Sequence, residues 1–250
     1  MLKRIILIRF QETIVNRIGH FACHIELYLL EKKISNKKYF DIFFFGPNVC
    51  NTKLAEIWKK NIIVLPYFII APIFSTYRSL IKKKIMGTDH IIPENISRDR
   101  DVYNLLDKFP PNIKFTKKET AYGNIILNKL GLLNRKFIVL HLRDDNYLRE
   151  DFKSGLKEVN INNYTKAIQY ALSQNYKVVR VGKNPKNKIQ IDNKNFIDYP
   201  FTEYQNDFMD LFLVYKCSLI LGNHSGGTFT PVYMFRTPVV LTDFAPIGQL

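Results

Sequence analysis

Short runs of β-branched and aromatic residues alternate along this chain with longer segments of helical periodicity. Such alternation is typical of parallel sheets, because each crossover between parallel strands needs a dozen or more residues and is usually a helix. The run Tyr39–Phe45 is almost entirely apolar, as expected of a strand that is covered on both faces. The sequence therefore predicts an α/β fold built on doubly wound, Rossmann-like sheets.

The periodic pattern falls into two halves, separated by a stretch in which Pro93, Pro110 and Pro111 interrupt any long element. In the first half, strands are predicted at Ile5–Ile8, Tyr39–Phe45 and Ile62–Leu65, and helices at His20–Lys33, Lys53–Lys60, Phe68–Lys84 and Lys118–Leu130. In the second half, strands are predicted at Phe137–Leu142, Lys177–Val181, Phe196–Ile197, Ser218–Leu221 and Pro238–Leu241, and helices at Asn162–Gln174, Asp207–Tyr215 and Thr228–Phe235. The two halves predict an N-terminal Rossmann-like domain over residues 1–134 and a C-terminal one over residues 135–250.

The composition indicates a globular protein with a strong positive charge. The chain of 250 residues is 46% hydrophobic and 24% charged, which excludes the disordered and collagen-like classes. Its 37 Lys and Arg residues outnumber 22 Asp and Glu residues, so the net charge of +15 favours phosphorylated ligands, nucleic acid or anionic lipid, unless the excess is solvated surface. Three widely spaced cysteines predict neither a disulfide framework nor a structural zinc site, and they fit a reducing compartment.

The hydrophobic runs are too short for secretion or for crossing a membrane. The run after Met1 ends at Arg9, and the longest one, Ile62–Phe74, contains two prolines and falls short of a spanning helix. We therefore expect a cytoplasmic protein. The segment Phe68–Lys84 combines apolar bulk with a basic end, which is typical either of contact with the inner face of a membrane or of a core helix with a basic exposed tip.

Chemically interesting residues follow the predicted strands, and ligands of doubly wound sheets bind at the carboxyl ends of the strands. Strand alternation places His141 and Arg143 on one side, and the planar guanidinium of Arg143 suits the paired oxygens of a diphosphate. We assign both residues and the nearby Asp145 to the binding of a diphosphate-containing ligand. The alternative for Arg143 is an ion pair with a neighbouring aspartate.

Small residues follow the strand Ser218–Leu221 and open the next helix. Backbone amides and hydroxyls of Ser225, Gly226, Gly227 and Thr228 would surround a phosphate at the positive end of that helix. The alternative is a simple tight turn.

Four further candidates for binding the same ligand lie near strand or helix ends. Gly182 and Lys183 follow the strand Lys177–Val181, where the lysine either adds charge to the phosphate site or is solvated. Asp207 and Asp210 lie three apart on a helix and suit a ribose or sugar hydroxyl, unless Asp207 is only the helix N-cap.

The N-terminal motif Arg17-Ile18-Gly19-His20 follows the first strand and opens the first helix. We assign Arg17, Gly19 and His20 to the binding of a phosphate or other substrate group and His20 to the general base, the alternative being an ordinary turn with a capping histidine. His20 and His24 have the spacing of zinc ligands, but no third ligand follows them. Asp99-Arg100-Asp101 matches the DxD pattern of metal-dependent glycosyl transfer, but its loop follows no predicted strand. We expect no metal and no cofactor.

These motifs, taken in order, resemble a family of bacterial glycosyltransferases found with surface-polysaccharide biosynthesis. The resemblance is carried by Arg17–His20, His141–Asp144 with Tyr147-Leu148, Asn163-Tyr164, Val179–Gly182, Ile197–Tyr199, Asp207–Asp210 and Ser225-Gly226. It implies two Rossmann-like domains of the GT-B type, with the acceptor in the first and the nucleotide sugar in the second.

The His-x-Arg element is also similar to that of fucosyltransferases, which implies that Arg143 contacts the donor diphosphate. Two departures stand out: Lys157-Glu158 replaces an expected Arg-Asn pair, and no segment after Pro246-Ile247-Gly248 corresponds to the closing helices of a GT-B fold. We expect either a truncated chain or a short variant.

The sequence thus predicts a metal-independent glycosyltransferase of hexosyl or fucosyl type. It would move a sugar from a nucleotide-diphosphate donor to a surface polysaccharide or a lipid-linked glycan, with Arg143 and the Ser225–Thr228 backbone offsetting the charge of the leaving group. The alternatives are a nucleotide-sugar epimerase of similar fold and a basic nucleic-acid-binding protein. Scattered rather than clustered Lys and Arg disfavour nucleic acid as a partner.

Overall fold

The computed structural model describes residues 7–35, 38–93, 100–143, 159–183, 185 and 187–243. The described residues form a mixed α/β structure in which both sheets are parallel, as predicted. The chain divides into two compact units, Met1–Ile113 and Lys114–Leu250.

The first unit contains a three-stranded sheet in the order β1-β2-β3. Its strands are β1 (Leu7–Thr13), β2 (Tyr39–Phe45) and β3 (Ile63–Leu65), and its helices are α1 (Ile18–Ile34), α2 (Thr52–Lys59), α3 (Tyr67–Lys82) and α4 (Leu105–Lys108). Strand β1 extends to Thr13, well beyond the predicted end at Ile8. The extension carries the polar residues Gln11 and Thr13, which are buried and paired with phenylalanines of β2, so an apolar pattern does not reveal it.

Strand β2 is apolar on both faces because a helix covers each one. On one face, Phe43 meets Tyr28 of α1, with ring centroids 5.0 Å apart. On the other, Phe44 meets Phe74 of α3 at 5.1 Å. The continuous apolar run in the sequence thus corresponds to a strand between two helical layers.

One buried carboxylate ties β1, β2 and α1 together. Asp41 of β2 accepts hydrogen bonds from Nε and Nη2 of Arg9 at 2.7 and 3.0 Å, and another from the hydroxyl of Tyr28. Burial alone would raise the pKa of Asp41, but these hydrogen bonds and the charges of Arg9 and Lys32 outweigh it and lower the pKa. The carboxylate therefore stays ionised within the fold.

The second unit contains a five-stranded sheet in the order β6-β5-β4-β7-β8. Its strands are β4 (Phe137–His141), β5 (Lys177–Val181), β6 (Phe196–Asp198), β7 (Leu219–Asn223) and β8 (Val239–Thr242), and its helices are α5 (Lys117–Lys129), α6 (Thr165–Ser173), α7 (Asp207–Lys216) and α8 (Gly226–Phe235). From β4 the chain builds two strands on one side and then two on the other. The direction of winding therefore reverses between β4 and β7.

Helix α5 belongs to the second unit, whereas the predicted limits 1–134 and 135–250 place it in the first domain. Its residues Ile126 and Leu127 join the core beneath the second sheet. Gly123 lies so close to α7 that an added Cβ would stand 2.6 Å from Cζ of Phe212. This contact follows from packing between segments that are distant along the chain.

We predict that Gly123→Ala destabilises the protein by roughly 1–2 kcal/mol, because overpacking outweighs the gain in helix propensity. Gly87→Ala provides the matched control, since a Cβ there would meet nothing within 4 Å. Urea unfolding of both variants measures the difference. Equal stabilities would contradict the close packing of α5 on α7.

Candidate functional site

The carboxyl ends of β4 and β7 lie side by side where the winding of the second sheet reverses. His141 closes β4 and is paired in register with Gly222 of β7. Doubly wound sheets bind their ligands in the crevice that such a reversal leaves. The candidate site is therefore built from the residues that follow these two strands.

The ring of His141 packs directly on the first turn of α8. Its Nδ1 lies 3.1 Å from Oγ1 of Thr228, and a Cβ on Gly227 would stand 2.6 Å from its Cε1. Gly227 thus leaves room for the ring of His141. The sequence predicted instead that the backbone at Gly227 approaches a phosphate. Thr228 is fully buried, so its hydroxyl positions the ring.

A second contact ties the chain after β4 to the end of β7. The backbone N–H of Arg143 donates to Oδ1 of Asn223 at 2.9 Å, and Asn223 is fully buried. This bond fixes the backbone from which the half-buried Arg143 side chain extends. The predicted aspartate partners of Arg143, including the donor-binding candidate Asp145, lie outside the described residues.

The start of α8 offers backbone donors beside this junction. Ser225 is the N-cap residue, and its side chain makes no capping hydrogen bond. The first N–H groups of a helix have no partner within it and favour an anion. Gly226 is exposed and Ser225 is half-buried, so this end of the helix is accessible to a ligand.

The end of β5 contributes Gly182 and Lys183 at the same edge of the sheet. Nζ of Lys183 lies 3.5 Å from Oδ1 of Asp207 at the start of α7. The N-cap of α7 is Asn206, whose side chain accepts from the backbone N–H groups of Phe208 and Met209. Asp207 is therefore not the N-cap, and the capping alternative for this residue is wrong.

Asp210, one turn further along α7, is a carboxylate whose ionised form is disfavoured by its surroundings. Burial, with the adjacent charge of Asp207, raises its pKa to about 6, although Tyr199 and Lys183 oppose the shift. Its Oδ1 is buried and makes no hydrogen bond with any described part of the chain. A carboxylate oxygen that lacks a hydrogen bond can accept one from the hydroxyl of a ligand.

We predict that Asp210→Asn stabilises the protein above pH 6 by roughly 1–3 kcal/mol and has little effect near pH 4. Between pH 4 and 6 the native state holds a proton that the unfolded state has lost, so the stability contributed by this group falls as the pH rises. Denaturant unfolding across this range measures the difference from the wild type.

Asp207→Asn is the companion variant in that series. It removes a negative charge next to Asp210, so it should lower the pKa of Asp210 and move the pH-dependent loss of stability to lower pH. A difference between Asp210→Asn and wild type that does not change with pH would contradict the raised pKa of Asp210.

Two residues beyond the predicted set lie at the same edge. The hydroxyl of Tyr164 donates to Oδ2 of Asp243 at 2.6 Å and lies 2.5 Å from Oγ1 of Thr242, which in turn donates to the carbonyl of Gly222 at 3.2 Å. Burial and Asp243 raise the pKa of Tyr164 to about 12, so the phenol stays protonated. The signal for Asp243 was its position just after a predicted strand.

The N-terminal candidates lie in the first unit, after β1. Arg17 occupies the N-cap position of α1, and Gly19 and His20 lie in its first turn. Nδ1 of His20 is 3.1 Å from Nε2 of His24. The two imidazoles therefore form one polar pair, and the predicted capping role of His20 is wrong because Arg17 holds that position.

The described residues contain no group of three or more His, Cys, Asp or Glu side chains arranged to hold a metal ion. Of the DxD pattern, Asp99 lies outside the described residues. Asp101 accepts from the backbone N–H groups of Leu105 and Leu106, both at 2.7 Å, and so supports the start of α4.

Comparisons with known proteins give a similarity of fold. No protein-family model matches the sequence, and no curated protein matches it. A glycosyl transferase of family 9 from Veillonella parvula DSM 2008 superposes with a TM-score of 0.59 at 12% identity, over 93% of this chain and 79% of that one. The ADP-heptose LPS heptosyltransferase II of E. coli gives a TM-score of 0.55 at 12% identity, over 96% and 87%. At this identity the likeness defines the fold alone.

We predict that Gly227→Ala displaces the ring of His141 and lowers stability by roughly 1–3 kcal/mol. The exposed neighbour Gly226 supplies the matched control, Gly226→Ala, which should leave the ring in place. Imidazole resonances in NMR spectra report the position of the ring, and thermal unfolding reports the stability. An unchanged His141 resonance in the Gly227 variant would contradict the packing described above.

Proposed function

We propose that this protein is a glycosyltransferase that takes a sugar from a nucleotide-diphosphate donor. The observation that carries the proposal is the junction of β4 with β7 and α8, where Arg143, His141 and the start of α8 meet at the reversal of the sheet. The acceptor is a surface polysaccharide or a lipid-linked glycan. The two units act as the Rossmann-like domains of a GT-B enzyme, with donor in the second and acceptor in the first.

The donor diphosphate is held by two kinds of positive group. The guanidinium of Arg143 binds paired oxygens, and the N–H groups at the start of α8 bind a neighbouring phosphate oxygen. The backbone at Arg143 is held by Asn223, and the start of α8 is held by the packing of His141 on Gly227. Such fixed groups stabilise the charge that develops on the departing diphosphate, so the proposal needs no metal ion.

The hydroxyl groups of the donor are bound along the same edge. Asp210 has a buried oxygen that makes no hydrogen bond with the described residues, and Asp207 lies beside the ammonium of Lys183. Carboxylates accept hydrogen bonds from ribose or sugar hydroxyls, and a ligand hydroxyl would supply the hydrogen bond that Oδ1 of Asp210 does not make with the described residues. Gly182 completes this side of the donor site.

The transfer step uses His20 as the general base. The acceptor hydroxyl gives its proton to the imidazole, its oxygen forms a bond to the anomeric carbon, and the nucleoside diphosphate leaves with the electron pair of the broken bond. Arg17 and Gly19 orient the acceptor beside His20. The ring of His24, 3.1 Å away, holds the base in a fixed orientation.

Three further observations support this function. The two solved structures of similar fold are named as glycosyltransferases, and one is named for ADP-heptose, a sugar nucleotide. The net charge of +15 favours a phosphorylated donor. The three cysteines lie in the described part of the chain and form no disulfide there, as suits a cytoplasmic enzyme that meets cytoplasmic sugar nucleotides.

We predict that Arg143→Ala weakens binding of nucleoside diphosphates at least about tenfold, because charge-assisted hydrogen bonds are lost. Arg143→Lys should recover part of the affinity, since lysine keeps the charge but not the planar fork. Isothermal titration calorimetry with ADP, GDP and UDP measures the effect, and circular dichroism checks the fold.

Arg135→Ala is the matched control, because Arg135 is an exposed arginine that precedes β4 at the opposite edge of the same sheet. It should bind like the wild type. Equal affinities of the Arg143→Ala and wild-type proteins, or no binding of any nucleoside diphosphate by the wild type, would overturn the donor site.

A further inference from the structure

Helix α3 of the first unit packs by one side only. Ile70 and Phe74 are buried against β2 and its surroundings. Phe68, Ile69 and Ile73 of the same helix are exposed by 78, 50 and 61%. Large apolar side chains clustered in this way are uncommon on a surface that meets only water.

All the charged side chains of the same helix are positive. From Tyr67 to Lys82 it contains no acidic residue, while Arg78 and Lys82 are exposed towards its carboxyl end. The chain continues with exposed Lys83 and Lys84, followed by Ile85 and Met86, which are exposed by 66 and 47%. Exposed apolar side chains and a run of positive charges thus lie within one short segment of the chain, defined here as the α3 surface (67–86).

The chemistry of this surface fits an anionic lipid bilayer. Hydrocarbon accommodates Phe68 and Ile73, while lipid phosphates attract the lysines at the end of the helix. None of the helices in the described ranges has the length and apolarity to cross a membrane, so the contact suggested is one with the interface. A second copy of this chain would bring the same positive charges together, which disfavours self-association through this surface.

We propose that the α3 surface binds the protein peripherally to anionic membranes. The apolar side chains insert at the level of the acyl chains, and the lysines lie among the headgroups. The proposal concerns the first unit alone and does not depend on the donor site of the second. A lipid-linked acceptor would be presented at the same membrane.

The test is cosedimentation of the full-length protein with vesicles of phosphatidylcholine alone or mixed with phosphatidylglycerol. We expect binding to the mixed vesicles that weakens with added salt, and little binding to phosphatidylcholine. The double variant Phe68→Ser, Ile73→Ser and the triple variant Lys82→Gln, Lys83→Gln, Lys84→Gln should each bind at least about tenfold more weakly. All five side chains are exposed, so the fold should tolerate both variants.

The control variants remove exposed apolar and basic side chains that lie outside the α3 surface. Ile125→Ser removes an exposed isoleucine of α5, and Lys114→Gln, Lys117→Gln, Lys118→Gln removes three exposed lysines. These controls should retain most of the binding. Equal losses in the two lysine triple variants would mean adsorption by overall charge and would overturn the α3 surface.

Two other outcomes would also overturn the proposal. One is the absence of binding to the mixed vesicles. The other is a concentration-dependent dimer that the Phe68→Ser, Ile73→Ser variant abolishes, which would assign this face to a second copy. Calorimetry with nucleoside diphosphates on the same variants separates this result from the donor site, because α3 variants should bind nucleotide normally.

Discussion

The contact between the His141 ring and the first turn of α8 is the constraint on which the second unit depends. Gly227 has no side chain, so the ring lies against the helix backbone with Nδ1 facing the hydroxyl of Thr228. Because β7 runs directly into α8, this contact joins the ends of the two strands between which the winding reverses. Doubly wound sheets bind ligands where the winding reverses, and in this chain His141, Thr228 and Asn223 fix the local geometry there.

The residues at the carboxyl ends of these strands form two groups, buried residues that hold the geometry and accessible residues that can bind a ligand. Asn223 and Thr228 are fully buried and hold the backbone and the imidazole in place. Arg143, Lys183 and Gly226 reach solvent and offer positive charge or backbone donors. A group that binds an anion must remain accessible, whereas a hydrogen bond that fixes geometry is stronger when water is excluded from it.

The sequence predicted those parts of the structure that leave a pattern in neighbouring residues, such as an apolar run or a motif at the end of a strand. Strand β2 has its predicted bounds because a strand between two helical layers is almost entirely apolar, Asp41 being its one charged residue. The motif residues after β4 and β7 meet, as expected from the parallel order of strands. The length of β1 was not predictable, because Gln11 and Thr13 are polar residues that are buried only in the tertiary structure.

By itself, the sequence determined the α/β class, the parallel sheets and the positions of polar motifs at strand ends, since periodicity and turn residues act over short distances. Tertiary structure alone decided that Gly227 makes room for His141, that Asn206 and not Asp207 caps α7, and that α5 joins the second unit. It also decided that Tyr164 meets Asp243. Each of these depends on contacts between residues far apart in the chain, or on a choice between adjacent polar residues that local propensity leaves open.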